Sequence, residues 1–267
     1  MTDLALEAVS YRYPRGGALA LEAVDLRIPA GQRVALIGQN GSGKTTLVRH
    51  LNGLLRPTSG RVLHDGADVA PRTVAQLARS VGLAFQDPDR QIFAGSVRRE
   101  VEFGPRNLGR SGSELRTAVD EALAEVGLES EGGSNPYDLG ASRRKLLALA
   151  SVQAMRTPVL VLDEPTTGQD MRGVEIVRRV IDRAHEAGRT VIAISHDMGF
   201  VASSFDRVVV LRAGSVILDG TPASAFAEGS WEALRSTYLE PPLPAVIGSR
   251  LGLGAATPTD EALLAAL

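Results

Sequence analysis

The sequence predicts an α/β fold with a mixed, mainly parallel core sheet, a small antiparallel β layer and an inserted α-helical subdomain. Three observations carry that expectation. Short apolar runs at residues 34–37, 158–162 and 190–194 alternate with helix-patterned stretches, the order that builds a parallel, helix-covered sheet. Each run ends in residues able to do chemistry, at the strand end where such sheets bind ligands. Residues 4–10 and 21–28 instead alternate in part between apolar and polar side chains, as half-buried antiparallel strands do.

Along the chain, those first two strands are separated by Pro14 and Gly16-Gly17. Val34-Ala35-Leu36-Ile37 reads as a buried strand, followed by the loop Gly38-Gln39-Asn40-Gly41-Ser42-Gly43-Lys44-Thr45 and a helix over residues 46–54. Residues 60–66 repeat the strand-then-turn style, with His64 read as an exposed strand residue. A short helix is expected at 73–79 and a second core strand at 81–85. Residues 97–103, 115–126 and 144–155 turn helical around a Gly/Ser/Asn/Pro loop at 131–136. The run 158–162 suits a strand buried on both faces, and residues 174–187 form a helix with arginines on one side. Residues 206–211 and 215–219, joined at Ala213-Gly214, read as a terminal hairpin, and short helices run from Thr221-Pro222 to Tyr238. Pro241-Pro242-Leu243-Pro244 then breaks the pattern before a small apolar helix at 260–267. The expected organisation is one domain over residues 1–228, its helical subdomain at about 92–157. An extension over 229–267 follows, helical and then a Pro-rich linker with a short apolar tail. In it Trp231, Leu234 and Tyr238 read as packing, and Leu263, Leu264 and Leu267 as a contact with a partner subunit.

Composition bounds what this fold can do. The 267 residues are 44% hydrophobic, enough for a sizeable core. A net charge of −2 and a pI near 6.1 argue against a nucleic-acid footprint. No apolar run approaches the roughly 18 residues of a spanning helix, and residues 1–6 lack a basic, apolar signal pattern. The expected location is therefore the cytoplasm. The absence of cysteine excludes disulfides and thiolate chemistry. Lys44 and Lys145 are the only lysines, in a chain otherwise using arginine, which makes the retained Lys44 telling.

The loop at 38–45 fits G-x-x-x-x-G-K-[ST], strand before and helix after. Its glycines let backbone N–H groups converge on one point, the helix start adds about half a positive charge, and Lys44 adds a full one. An anion such as a nucleotide triphosphate belongs there, with the Thr45 hydroxyl able to ligate Mg²⁺. Asp163 and Glu164, ending the run 158–162, complete it: Asp163 suits Mg²⁺ and Glu164 suits a water aimed at the γ-phosphate. Strand-end acids also cap helices, and a lone strand-end histidine such as His196 is often only a satisfied polar residue, so both readings lean on the upstream loop.

In this order the motifs resemble the nucleotide-binding subunit of an ATP-binding cassette (ABC) transporter, over about residues 4–226. The resemblance implies the ABC ATPase fold of the P-loop NTPases. It makes Gly38 to Thr45 the Walker A loop, Gln86 the Q-loop glutamine, Val159 to Glu164 Walker B, Thr167-Gly168-Gln169-Asp170 the D-loop and His196 the switch histidine. ATP is then held by Tyr13, Gly38, Gln39, Asn40, Gly41, Ser42, Gly43, Lys44, Thr45 and Thr46; Thr45, Gln86 and Asp163 hold Mg²⁺; Glu164, His196 and Gln86 act in catalysis. Tyr13, just before Pro14-Arg15-Gly16, is preferred to Tyr11 as the aromatic that stacks on adenine. Phe85-Gln86-Asp87-Pro88-Asp89-Arg90-Gln91-Ile92-Phe93 is similar to the energy-coupling factor branch, with its cobalt, nickel and vitamin importers, Gln91 being the distinguishing residue. That likeness implies a second ATPase subunit, a transmembrane coupling subunit contacted near residues 86–93, an attached substrate-binding subunit and a place on the inner face of the cell membrane. Ile92 and Phe93 also fit a plainer role, sealing the helical subdomain.

One segment departs from the family pattern. In place of L-S-G-G-Q stands Leu139-Gly140-Ala141-Ser142-Arg143. The resemblance implies that Gly140, Ala141, Ser142, Arg143 and Asp170 face ATP held by the partner, yet here the serine is displaced and Ala141 adds a Cβ. This favours pairing with a different cassette subunit, giving two unequal ATP sites, over a homodimer. The rival readings are the ATPase of another ABC transporter class and a soluble, non-transport ABC protein.

Overall fold

A computed structural model describes residues 2–14, 16–253 and 256–267. Met1, Arg15, Gly254 and Ala255 lie outside it, Arg15 belonging to the stretch that follows Tyr13. The chain runs β1 (Leu4–Tyr11), β2 (Leu21–Ile28), β3 (Arg33–Ile37), α1 (Lys44–Leu51), β4 (Ser59–His64), β5 (Ala67–Asp68), α2 (Val74–Leu77), β6 (Val81–Ala84), α3 (Val97–Asn107), α4 (Gly112–Glu125) and α5 (Ala141–Gln153). It continues through β7 (Val159–Asp163), α6 (Met171–Glu186), β8 (Thr190–Ile194), α7 (Met198–Ser204), β9 (Arg207–Arg212), β10 (Ser215–Gly220), α8 (Pro222–Ala225), α9 (Trp231–Arg235), α10 (Leu243–Arg250) and α11 (Asp260–Ala266).

Two sheets form. The larger has the order β10-β9-β3-β8-β7-β6, parallel throughout except for the hairpin strand β10. The smaller, β2-β1-β4-β5, is antiparallel. The core strands separate two apolar cores by simple alternation. Val34, Leu36, Val159, Val161, Ile192, Ile194, Val209 and Leu211 face α1 and the antiparallel sheet. Ala35, Ile37, Leu160, Leu162, Val191, Ala193, Val208 and Val210 face the side covered by α5, α6, α7 and the helical block. A parallel strand buried on both faces must be apolar at every position, hence the unbroken runs in the sequence.

The alternation in β1 and β2 is only partial because each strand carries an irregularity. Register shifts fall between Leu6 and Val9 and along β2, with Ala8 and Ala23 at positive φ, so Leu4 and Leu6 share a face with Val9 and Tyr11. Two expectations are corrected here. His64 is not exposed: it is 1% accessible and its Nε2 lies 2.9 Å from the Leu51 carbonyl, satisfying an orphan acceptor at the end of α1. Nor is the Pro241–Pro244 stretch a simple linker, because α10 starts at Leu243. Pro242 precedes that helix and Pro244 occupies its first turn, where no N–H is required. Leu234, Leu239 and Ala245 of the extension enter the same core as the sheet.

Candidate functional site

The strand-end residues of β3, β7 and β8 meet at the N-terminus of α1. Lys44, Thr45, Asp163, Glu164 and His196 line one cleft of about 610 Å³, together with Tyr13, Asn40 to Gly43, Thr46, Gln86 and Thr167, a size suited to a nucleotide. The loop needs glycine where the chain is most crowded. A Cβ on Gly38 (φ +141°) would sit 2.1 Å from the Leu211 carbonyl oxygen, and one on Gly43 (φ +105°) 2.5 Å from that of Ala20. Gly43 is also the left-handed residue from which α1 departs, so the helix's unpaired N–H groups open into the cleft.

Lys44 is buried, and its Nζ donates to the carbonyls of Gly38 (2.5 Å) and Gln39 (2.9 Å). Burial pulls its ammonium below the ordinary lysine range, while Glu164 and Asp163 pull the other way. Thr45 Oγ1 donates to Asp163 Oδ2 at 3.2 Å. Asp163 Oδ1, Ser42 Oγ and Glu164 Oε1 are buried without a hydrogen-bond partner, an arrangement that suits an ion and a ligand. Burial raises both carboxyl groups above their usual range, opposed for Asp163 first by the Thr45 bond and for Glu164 first by the Thr167 bond.

Glu164 stands at φ +53°, unusual for a non-glycine residue and typical of functional turns. Its N–H donates to the Ile194 carbonyl (3.0 Å), and its Oε2 accepts from Thr167 Oγ1 (3.1 Å). His196 Nε2 lies 3.0 Å from Glu164 Oε1 without hydrogen-bond alignment. Burial, then the Lys44 charge, lowers the imidazole's proton affinity.

Of the two candidate aromatics, only Tyr13 lines the cleft. Tyr11 is 8% accessible and part of the core, whereas Tyr13 is 40% accessible. Tyr13 shares a 3.0 Å hydrogen bond with Thr46 Oγ1 and packs edge-on against Tyr11. Gln91 explains itself as scaffold: its Oε1 accepts from Phe85 N–H (3.0 Å) and its Nε2 donates to the Ala148 carbonyl (2.7 Å) and Ser151 Oγ (2.8 Å), tying the segment after β6 to α5. Ile92 is buried, as sealing the helical subdomain requires, and Phe93 is 61% accessible.

Gly140 to Arg143 lie away from this cleft, at the exposed N-terminus of α5, which has no side-chain cap. Ala141 is an ordinary first-turn residue, and its Cβ creates no backbone conflict. Arg143, expected to add charge there, is turned back onto Glu131 Oε1 (2.5 Å) and the Gly127 carbonyl. Asp170 caps α6 through the Gly173 N–H (2.7 Å) and remains exposed. Sequence reasoning missed Thr167's bond to Glu164 and the pairing of Ser142 with Gln169 (2.7 Å); neither has a signature in spacing.

A family model described as "ABC transporter" matches residues 21–167. The chain is 44% identical over 200 residues to the energy-coupling factor transporter ATP-binding protein EcfA2 of Clostridium perfringens, covering 73% of this chain and 70% of that one. It is equally identical over 212 residues to a longer ABC transporter ATP-binding protein of Methanosarcina acetivorans, of which it spans 34%. Among solved structures, CbiO1 of C. perfringens, described as part of the ABC transporter complex CbiONQ, superposes with a TM-score of 0.76 at 36% identity, over 93% of this chain and 98% of that one. A phosphate loop folded in this way, in a sequence alike over most of both lengths, has one reading: the chain belongs to the ABC transporter ATPases, among the energy-coupling factor ATP-binding proteins.

Proposed function

We propose that this chain binds Mg-ATP in the cleft, closes against a second ATPase subunit and drives uptake of a vitamin or a transition-metal ion through membrane partners, working at the inner face of the cell membrane. The convergence of Lys44, Thr45, Asp163, Glu164 and His196 on one cleft supports it above all else. On this reading Lys44 leaves its loop carbonyls for the β- and γ-phosphates, and Ser42 with the loop N–H groups cradles the rest. Thr45 and Asp163, with Gln86 at the rim, would hold Mg²⁺: a hydroxyl and carboxylate oxygens are the hard donors it prefers, and Asp163 Oδ1 lacks another partner. The ion supplies charge neutralisation at the phosphates. Glu164 orients the attacking water and takes its proton, and His196, beside it, steadies that water or the γ-phosphate.

The partner contacts extend the proposal. Beside Gln86 opens a groove of about 610 Å³ lined by Arg49, Leu54, Leu55, Phe85, Asp87 and Arg90, and Phe93 packs edge-on with Phe103, which is also exposed. That surface suits the transmembrane coupling subunit, with the substrate-binding subunit attached to it. Gly140, Ala141, Ser142, Arg143 and Asp170 would face ATP held by the second ATPase subunit, a different cassette with an ordinary signature. Replacing Glu164 with Gln is expected to slow hydrolysis on the order of 100-fold or more with ATP binding retained; unchanged turnover removes Glu164 from this role. Gentle detergent purification from native membranes is expected to recover a second ATPase subunit and integral membrane subunits together, and recovery of the chain alone would overturn the transport reading.

A further inference from the structure

The first turns of α5 are stitched to the segment between β7 and α6 at two points. Ser142 Oγ donates to Gln169 Oε1 (2.7 Å), and Gln169 Nε2 returns a bond to the Ser142 carbonyl (3.1 Å). One turn further, Lys145 Nζ donates to the Thr167 carbonyl (2.9 Å), and the hydroxyl of the same Thr167 donates to Glu164 Oε2 (3.1 Å). A continuous path therefore joins the helical subdomain to Glu164. Lys145 is not a surface lysine that happens to fall nearby: with Leu146, Leu149, Leu162 and Pro165 it lines a small cavity beside Asp163. Burial, the larger influence, lowers its proton affinity, and Glu164 and Asp163 partly oppose that.

Two features make this path consequential. Glu164 occupies a left-handed conformation, so its carboxylate is aimed by the turn that follows it rather than by a regular strand. And the neighbouring side chains on α5 turn elsewhere: Arg143 pairs with Glu131, and Arg144 with the Leu139 carbonyl and Asp89, leaving Lys145 and Ser142, among the described residues, as its polar links to that turn. We propose that Lys145 is a positioning residue for hydrolysis: by anchoring the Thr167 carbonyl to α5, it fixes the turn from which the Thr167 hydroxyl holds Glu164. Movement of the helical subdomain is thereby passed to the residue that handles the water. The inference rests on the proposed role of Glu164.

The test is steady-state ATP hydrolysis by the full chain in its purified assembly. Lys145→Met keeps the length of the stem and removes the donor; it is expected to lower kcat about 10-fold or more while KM for ATP stays within about twofold, the pattern of a misplaced catalytic group. Lys145→Arg, which retains a cationic donor, should recover most of that loss. Thr167→Val should lower kcat similarly, and the double variant Lys145→Met with Thr167→Val should be no slower than the slower single, because both break one path. Wild-type kcat in Lys145→Met, a rise in KM alone, or losses that multiply in the double variant would each overturn the inference. Should Lys145→Met fail to fold, Thr167→Val and Lys145→Arg decide the matter: wild-type kcat in the first or no activity in the second overturns it. Glu164→Gln separates the two levels. If that variant turns over normally the role of Glu164 falls; if it is inactive while Lys145→Met is unimpaired, only the role of Lys145 falls.

Discussion

Two histidines at the end of α1 show how burial sets chemistry at the level of single residues. His50 Nδ1 lies 2.7 Å from the Thr46 carbonyl and His64 Nε2 2.9 Å from that of Leu51; in both rings the second nitrogen is buried without a partner. Burial, the larger influence in each, lowers their proton affinity below the ordinary histidine value of 6.5. The unfolded chain therefore binds protons that the folded one refuses. Stability should be intact above the unfolded value and decline as pH falls below about 6.5 toward the lower folded values. Denaturant midpoints measured across pH 7.5 to 5 check this, and His64→Gln, which keeps a donor, should flatten the decline. Such residues mark the limit of reading by type and spacing. Lys44, Thr45, Asp163 and Glu164 were legible because each sits at a strand or loop end fixed by local pattern. The burial of His64 depends on β4 pairing with β1 beneath α1, and the pairing of Arg143 with Glu131 on a loop that folds back on α5; both are long-range facts.

At the scale of elements, the joint between the helical block and the core turns on Arg189, just before β8. Its Nε donates to the Thr157 carbonyl (2.7 Å) and its Nη1 to Gln153 Oε1 (2.5 Å), so the end of α5 is fastened to the start of a core strand. Its burial is deep enough to bring its pKa down to about 10, with Glu125 acting against that shift. Arg189→Leu removes both bonds and should destabilise the chain by about 2–3 kcal/mol, read as a shift in the denaturant midpoint with the slope retained. The elements that were legible follow the same logic as this joint's neighbours: β3, β7 and β8 announce themselves as unbroken apolar runs because both faces are covered. The helix α7 was not read, since Met198, Phe200, Val201 and Ala202 are buried within a stretch too short to show a period of 3.6. Likewise α10 was obscured by prolines that mark a helix start as readily as a linker.

At the scale of the whole molecule, the proposed activity depends on a surface this chain offers to another. The N-terminus of α5 is exposed and lacks a side-chain cap, so its N–H groups can meet an anion, which on the proposed pairing the partner holds. What it lacks is the hydroxyl in front of them, since Ser142, the nearest one, is already committed to Gln169. Losing one donor aimed at a transition state costs on the order of 3 to 4 kcal/mol, or two to three powers of ten in rate, which is why two unequal sites are expected. Gly140→Ser tests this directly. Gly140 has φ −62° and ψ 158°, a conformation open to any residue, and a Cβ there meets nothing within 4 Å, so serine fits and is favoured at a helix start. On the proposed pairing, placing Glu164→Gln in this chain silences the site built on its own loop, and the remaining turnover of the assembly then comes from the site completed by α5. Against that background Gly140→Ser should raise turnover about 10- to 100-fold, measured as phosphate release at saturating ATP. Equal turnover with and without the serine would show that this segment does not limit the site. Full turnover at both sites of a dimer made of this chain alone would exclude the asymmetric pairing altogether.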